Sequence, residues 1–184
     1  MARLTTSDAQ SIGIEIAALK PDALSPDVEP APQGSRLVRI QAADIFGFDL
    51  ANMPLKGLDS GSCEQACQRT RSCMAFTFNR PNAACFLKSG GSLVVGNPAA
   101  VAGYKPDIEA NLRRSRITVF DKTDLRDGDY SRLRKLKFEQ CIAACEVDVR
   151  CVAFTYVRRV KSCWLKSAVS TRTVSSGAIS GLKE

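Results

Sequence analysis

Residues 63–89 read CEQACQRTRSCMAFTFNRPNAACFLKS, and residues 141–167 read CIAACEVDVRCVAFTYVRRVKSCWLKS. The two stretches align without a gap at an offset of 78 residues, and four cysteines recur with every interval unchanged. The aromatic and aliphatic positions that follow the third and fourth cysteines recur as well. A fixed period with matching cysteines and matching apolar positions predicts two copies of one small module.

The cysteines are predicted to form disulfide bridges. Each copy occupies about 70 residues, and a domain of that size commonly needs disulfides or a metal in addition to its apolar core. The chain contains eight cysteines and no histidine, and the spacing C-x3-C-x5-C-x11-C has no close pair of the kind that zinc sites use. We therefore expect four disulfides, no bound metal and no cofactor.

The spacing favours a nested pairing in each copy. Residues 62–69 and 140–147 have helical character, which places the first and second cysteines four residues apart on one helix face. Cβ atoms at that spacing lie about 5 to 6 Å apart, whereas a disulfide needs about 3.8 Å. The arrangement with the lowest loop-closure cost joins Cys67 to Cys73, Cys63 to Cys85, Cys145 to Cys151, and Cys141 to Cys163. The other pairings of four cysteines stay open on sequence alone.

Four segments are predicted along the chain. Residues 1–35 carry four prolines among Ser, Asp and Ala, which is typical of a tail or linker. Residues 36–106 are predicted to be the first module, residues 107–115 an interdomain linker, and residues 116–184 the second module.

Each module is predicted to contain one helix and several short strands, which is the α+β class. The helices are expected at residues 62–69 and 138–148. The strands are expected at residues 36–41, 75–79, 84–87 and 100–105 of the first module, and at residues 116–121, 152–157, 162–166 and 178–183 of the second. Much of the core is expected to come from Phe76 and Phe154, Leu87 and Leu165, and Phe86 and Trp164.

These features resemble the PAN/apple domains of the short bacterial type. The resemblance rests on the cysteine spacing and on the signatures Ala-Phe-Thr-Phe/Tyr and Cys-Phe/Trp-Leu-Lys-Ser, which occur in both copies. It covers residues 36–184. It implies, for each module, an antiparallel sheet of about five strands that cradles one helix. Two nested disulfides staple such a module, in agreement with the pairing favoured above.

The resemblance implies a noncatalytic recognition module. Members of the family bind proteins or carbohydrates and are usually parts of larger secreted chains, so the implied partners are a protein or glycan ligand and the other domains of a parent protein. In bacteria, similar tandem modules occur at the front of alpha-macroglobulin-like protease traps. The alternative is therefore an accessory scaffold region that positions such a larger protein and has no ligand of its own.

The sequence predicts no catalytic residues. Without histidine, the Ser-His-Asp and Cys-His arrangements cannot be built within the chain. The acidic pair Asp127 and Asp129 lies in the segment Arg126-Asp-Gly-Asp-Tyr130, where aspartate is common because it favours turns. We therefore expect that the chain is not an enzyme.

The positive charge of the chain is concentrated in the second module. Residues 1–110 hold 10 Lys and Arg against 11 Asp and Glu, whereas residues 111–184 hold 16 against 8. A basic extracellular surface attracts acidic polysaccharide, lipopolysaccharide or an acidic protein face. Little aromatic interleaving disfavours nucleic acid as the ligand. The candidate anionic-ligand site consists of Arg132, Arg134, Lys135, Lys137, Arg158, Arg159 and Lys161. The alternative is that these charges only keep loops and the linker solvated.

The predicted disulfides indicate an oxidising compartment, which means a periplasm, a cell surface or the extracellular space. Residues 1–33 contain no apolar run of the signal-peptide kind, and no run in the chain reaches the roughly 18 apolar residues that span a membrane. We therefore interpret the chain as an excised fragment or as a mature form with an added Met. The remaining alternative is a cytoplasmic metal or redox protein, which would have free thiols or bound zinc.

Overall fold

The computed structural model describes residues 36–184, so the predicted tail at residues 1–35 lies outside the described residues. In the described part, two α-helices and ten strands form. The helices are α1 (Ser60–Arg69) and α2 (Phe138–Val147). The strands are β1 (Val38–Phe46), β2 (Leu55–Lys56), β3 (Ala75–Asn79), β4 (Ala84–Lys88), β5 (Leu93–Tyr104), β6 (Arg113–Leu125), β7 (Asp129–Leu133), β8 (Ala153–Val157), β9 (Ser162–Lys166) and β10 (Arg172–Lys183).

The strands form one sheet in which the same topology occurs twice. Their order is β2-β4-β3-β5-β6-β10-β8-β9-β7, and β1 also pairs with β5. The first module is therefore β2-β4-β3-β5-β1, and the second is β7-β9-β8-β10-β6, with identical connections. Every pairing within a module is antiparallel. Five strands and one helix per module confirm the predicted α+β class.

Two disulfides hold each helix against its sheet. Cys63–Cys85 and Cys141–Cys163 join the first turn of a helix to β4 or β9, with Cα atoms 5.6 Å apart. Cys67–Cys73 and Cys145–Cys151 join the same helix to the segment before β3 or β8, with Cα atoms 5.2 Å apart. In α1 the two cysteines are the buried residues, so the bridges supply contacts that an apolar helix face would otherwise make. The nested pattern is the one predicted.

The threonine of the Ala-Phe-Thr signature fastens the first strand of each module to the sheet. Thr77 Oγ1 accepts a hydrogen bond from the Ile45 N–H at 3.1 Å. Thr155 Oγ1 accepts one from the Leu125 N–H at 3.2 Å and also bonds Ser180 Oγ at 2.8 Å. Ile45 and Leu125 are related by an offset of 80, so the first strands repeat two residues out of phase with the cysteines.

Replacing Thr155 by valine is expected to lower the free energy of unfolding by about 1 to 2 kcal/mol, because the buried Leu125 N–H then lacks its acceptor. Valine keeps the shape of the side chain, so the loss reports the hydrogen bonds. Urea unfolding measures the effect, and Thr171→Val is the control because Thr171 is exposed and uses only its backbone carbonyl, which accepts from the Arg126 N–H. Equal losses in the two variants would contradict the role given to Thr155.

The two modules share a strand pairing and a hydrophobic core. Strand β5 pairs in parallel with β6, with Leu93 opposite Arg113 and Gly96 opposite Thr118. Leu93 and Val95 of the first module belong to the core cluster around α2. The Phe46 ring lies 5.3 Å from the ring of Phe138, the first residue of α2. The modules therefore form one packed body.

The segment predicted as a linker, residues 107–115, is folded. A 3-10 helix spans Pro106–Asn111, and its Ile108 is buried against Ile45 and Tyr104 of the first module. Residues 113–115 already belong to β6. The predicted module boundaries at residues 106 and 116 remain predictions, since the structure gives a continuous sheet across them.

Several expected details differ from the structure. Strand β5 begins at Leu93 and not near residue 100, and β7 is a strand that was not among those expected. Phe76, Phe154, Leu87 and Leu165 are buried as predicted. Phe86 and Trp164 are only half-buried, because they lie on the sheet face away from the helix, where no layer covers them fully. Fully buried positions that the sequence reasoning missed include Ile45, Tyr104, Ile117, Leu125 and Ile142.

Candidate functional site

The seven predicted anionic-ligand residues are all exposed, and we call them the basic edge. Four of them lie in β7 and in the segment that leads into α2. The other three lie in and directly after the 3-10 turn Arg158–Val160, which joins β8 to β9. Strand β7 is the last strand of the sheet, so the basic edge occupies one border of the second module. Its members are Arg132, Arg134, Lys135, Lys137, Arg158, Arg159 and Lys161.

Two hydrogen bonds bring the two segments of the basic edge together. The Leu136 N–H donates to the Lys161 carbonyl oxygen at 3.1 Å, and the Tyr156 hydroxyl donates to the Leu136 carbonyl oxygen at 2.8 Å. Lys161 has a left-handed backbone, φ 46°, which closes the turn onto the Arg158 carbonyl oxygen. The two clusters are 21 or more residues apart in sequence but share one surface.

Two members of the basic edge have partners. The Arg132 guanidinium lies 4.6 Å from the centre of the Trp164 ring and donates to Ser162 Oγ at 3.3 Å. Arg158 forms an ion pair with Asp121 of β6. Among residues 36–184, the other five members form no ion pair, and their exposed cationic groups face solvent: Arg134, Lys135, Lys137, Arg159 and Lys161.

The acidic residues that follow β6 have structural partners. Asp129 forms an ion pair with the buried Lys166, and Asp49 does the same with the buried Lys88 in the first module. Asp127 accepts a hydrogen bond from the Ser170 hydroxyl. Asp127 and Gly128 both have left-handed backbones, each with φ 69°, as a tight turn requires. Asp127 therefore stabilises a turn, while Asp129 and Asp49 each neutralise a buried lysine.

A cleft of about 400 Å³ lies between the two modules, and we call it the intermodule cleft. Its base is formed by Asp44, Thr77 and Asn97 of the first module. Other lining residues from both modules include Phe46, Lys56, Asn79, Asn82, Phe86, Asp121, Lys122, Phe138 and Arg158. The equivalent cleft of the second module is smaller, about 180 Å³, and is lined by Asp124, Thr155, Trp164 and Ser175 among others.

The carboxyl group of Asp44 is the ionisable group at the base of the intermodule cleft. Burial raises its pKa above the ordinary value, and the charge of Lys88 and hydrogen bonds from Thr77 and Asn97 offset part of that rise. The sequence reasoning missed this residue. The repeat contained a signal for this residue, because Asp44 and Asp49 recur as Asp124 and Asp129. That recurrence has an offset of 80, whereas the cysteines recur at an offset of 78, so an alignment on the cysteines does not reveal it.

The described residues contain neither a cluster suited to a metal ion nor a helix suited to a bilayer. Within residues 36–184, no three side chains of His, Cys, Asp or Glu are grouped to hold a metal ion. In the same range, neither helix has the length and apolar character needed to cross a bilayer. All cysteines of this range are in disulfides.

Comparison with known proteins identifies the modules. The sequence profile of the PAN domain matches residues 43–88 and 123–166, one match in each module. The chain is similar to the solution structure of the two N-terminal apple domains of Toxoplasma gondii microneme protein 4, with 20% identity and a TM-score of 0.32. That match covers 79% of this chain and 86% of that one. None of the curated protein sequences matches. With one profile match and one pair of nested disulfides in each module, residues 43–88 and 123–166 belong to a tandem pair of PAN/apple domains.

Proposed function

We propose that the chain is a noncatalytic recognition module of an extracytoplasmic protein and that it binds an anionic protein or glycan ligand at the basic edge. PAN/apple domains are typically protein-binding or carbohydrate-binding modules. The main support for an anionic ligand is that two basic segments converge on one exposed border of the sheet. Five of their cationic side chains form no ion pair within residues 36–184.

The electrostatic setting of the basic edge supports this ligand class. Residues 111–184 hold 16 basic against 8 acidic residues, so the field around the second module is positive. Cationic side chains in solvent attract a polyanion through long-range forces that salt screens over about 10 Å at 0.1 M. The interaction should therefore weaken strongly as salt is added.

The disulfides support an oxidising location for the proposed function. Four bridges in a chain of this size are typical of secreted or extracytoplasmic proteins, and periplasm, cell surface and extracellular space all satisfy the requirement. As a second candidate, the tandem pair serves as a scaffold that positions a larger protein such as an alpha-macroglobulin-like protease trap. The packed junction between the modules favours such a rigid spacer.

Reversing three free charges of the basic edge is expected to abolish retention on a heparin column at moderate salt. The variant is Arg134→Glu, Arg159→Glu and Lys161→Glu, which leaves the Arg158 ion pair and the Arg132 contact with Trp164 in place. The matched control is Arg36→Glu, Arg69→Glu and Arg71→Glu, which changes the net charge equally on exposed positions of the first module. The salt concentration at elution is the measurement.

The control separates a localised site from net charge. The proposal requires the control variant to elute close to the unmodified protein, while the basic-edge variant elutes in the void. Equal shifts of both variants would mean that only net charge matters. If the unmodified protein is not retained, the polyanion ligand is wrong, and binding to the other domains of the parent chain becomes the discriminating test for the scaffold.

A further inference from the structure

We infer that the intermodule cleft binds a single hydroxylated sugar ring that carries an acidic group. The inference deepens the proposed function, because the cleft adjoins the basic edge. Arg158 belongs to both, and its partner Asp121 also lines the cleft. One ring of an anionic glycan would occupy the cleft while neighbouring acidic groups lie along the basic edge. A cavity of about 400 Å³ is within the range of small-ligand sites.

The lining of the cleft offers both acceptors and donors of hydrogen bonds. Asp44 lines the cleft and presents carboxyl oxygens that can accept hydrogen bonds from hydroxyl groups. Asn79 Oδ1 accepts from the Asn82 N–H at 3.3 Å and from Asn82 Nδ2 at 3.1 Å. That contact leaves the Asn79 amide N–H groups and the Asn82 carbonyl oxygen without a side-chain partner among residues 36–184. Acceptors and donors side by side suit the paired hydroxyl groups of a sugar.

Aromatic rings supply an apolar wall beside these polar groups. Phe46, Phe86 and Phe138 line the cleft, and all three are half-buried, so part of each ring faces the cavity. Phe46 and Phe138 come from different modules and hold each other at a ring distance of 5.3 Å. The wall is therefore fixed before a ligand binds. Aromatic surface next to hydrogen-bonding groups matches a ring that has both C–H faces and hydroxyl edges.

The charges along the cleft select the ligand class. A cationic ligand, such as a lysine side chain, would pass Lys56, Lys122 and Arg158 before it reached Asp44. A compact anion held near the lysines would leave the hydrogen-bonding groups of Asp44, Thr77 and Asn97 unused. A sugar ring can place hydroxyl groups at the base, where they hydrogen-bond to Asp44, and an acidic group at the opening, where it pairs with Lys56 and Lys122. Among residues 36–184, these two exposed lysines form no ion pair.

The second module lacks this site although it has the same fold. At the offset of 78, Asn79 and Asn82 are replaced by Val157 and Val160, so both amides are lost. The Arg132 guanidinium lies 4.6 Å from the centre of the Trp164 ring, closer than the 5.8 Å between Lys88 Nζ and the Phe86 ring of the first module. The volume is also less than half, about 180 Å³ against 400 Å³. The cleft of the second module therefore serves as an internal negative control for sugar binding.

The test is titration of the full chain with sodium glucuronate, glucose and sodium acetate, followed by amide chemical shifts. We expect glucuronate to shift residues of the cleft, glucose to bind at least several-fold more weakly, and acetate to leave the cleft unchanged. The variant Asn79→Val with Asn82→Val copies the second module, whose turn forms with valines at these positions, and should weaken glucuronate binding at least tenfold. Ser175→Ala, in the cleft of the second module, should leave binding unchanged.

The outcomes separate this inference from the proposed function. The basic-edge variant Arg134→Glu, Arg159→Glu, Lys161→Glu should retain the glucuronate shifts, because none of its positions lines the cleft. If heparin binding fails while the glucuronate shifts persist, the basic edge is wrong and the cleft stands. The cleft inference is overturned if glucuronate causes no shifts there. It is equally overturned if the Asn79→Val, Asn82→Val variant binds as well as the unmodified protein while giving the same spectrum elsewhere.

Discussion

Replacing Cys141 and Cys163 together by alanine is expected to lower the free energy of unfolding of the protein by about 3 kcal/mol. The bridge closes a segment with a sequence separation of 22, and it is the covalent link between the start of α2 and strand β9. Both sulfur-bearing side chains are completely buried, so their truncation also removes core contacts. Denaturant unfolding followed by the fluorescence of Trp164, the single tryptophan of the chain, reports directly on this region.

Removing the shorter bridge of the same module gives the comparison. Cys145–Cys151 has a sequence separation of 6, and its loss should cost about 2 kcal/mol, because a shorter loop restricts the unfolded chain less. The order of the two effects is the test. A larger loss from the Cys145→Ala, Cys151→Ala variant would show that strain or packing, and not loop closure, sets the contribution of each bridge.

Gly181→Ala is expected to destabilise the protein by about 2 to 3 kcal/mol. A Cβ at position 181 would collide with the Phe154 ring and would lie 2.8 Å from the Ile117 Cγ2 atom. Both neighbours are essentially fully buried, so neither can move aside without disturbing the packed core. A thermal unfolding scan and a urea titration measure the loss.

Gly177→Ala on the same strand is the matched control. No heavy atom lies within 4 Å of a Cβ built at Gly177, so the change should stay within about 0.5 kcal/mol. Gly103 is the equivalent residue of the first module. A Cβ at position 103 would collide with the Phe76 ring, so Gly103→Ala should be as destabilising as Gly181→Ala. If Gly177→Ala and Gly181→Ala have equal effects, the close approach of glycine to the ring does not explain the position.

The disulfide framework and the main elements could be predicted because their signals are local. The cysteine intervals and the turn at Arg80–Asn82 lie within the 27 residues that recur, and each helix carries the first two cysteines of its copy. The basic residues were also visible, but their convergence was not. That convergence depends on the hydrogen bond from Leu136 to Lys161 and on the pairing of β7 with β9, neither of which has a local sequence signature.

The intermodule cleft and the shared core could not be predicted for a different physical reason. They arise from the parallel pairing of β5 with β6, a contact between strands of different modules, and hydrophobic patterning within a strand does not specify which neighbour it meets. Phe86 and Trp164 illustrate the same limit. Their size suggested a core position, whereas the open face of the sheet leaves them beside the clefts.

The parallel pairing of β5 with β6 also affects how tightly a long ligand can be held. Two domains on a flexible tether lose orientational freedom when one ligand engages both, and the effective concentration of the second site falls as the tether lengthens. Here Leu93 and Gly96 fix the second module to the first through backbone hydrogen bonds before any ligand arrives. A glycan that spans the intermodule cleft and the basic edge would therefore encounter two contact points at a preset spacing, and avidity would depend on whether its own repeat length matches that spacing.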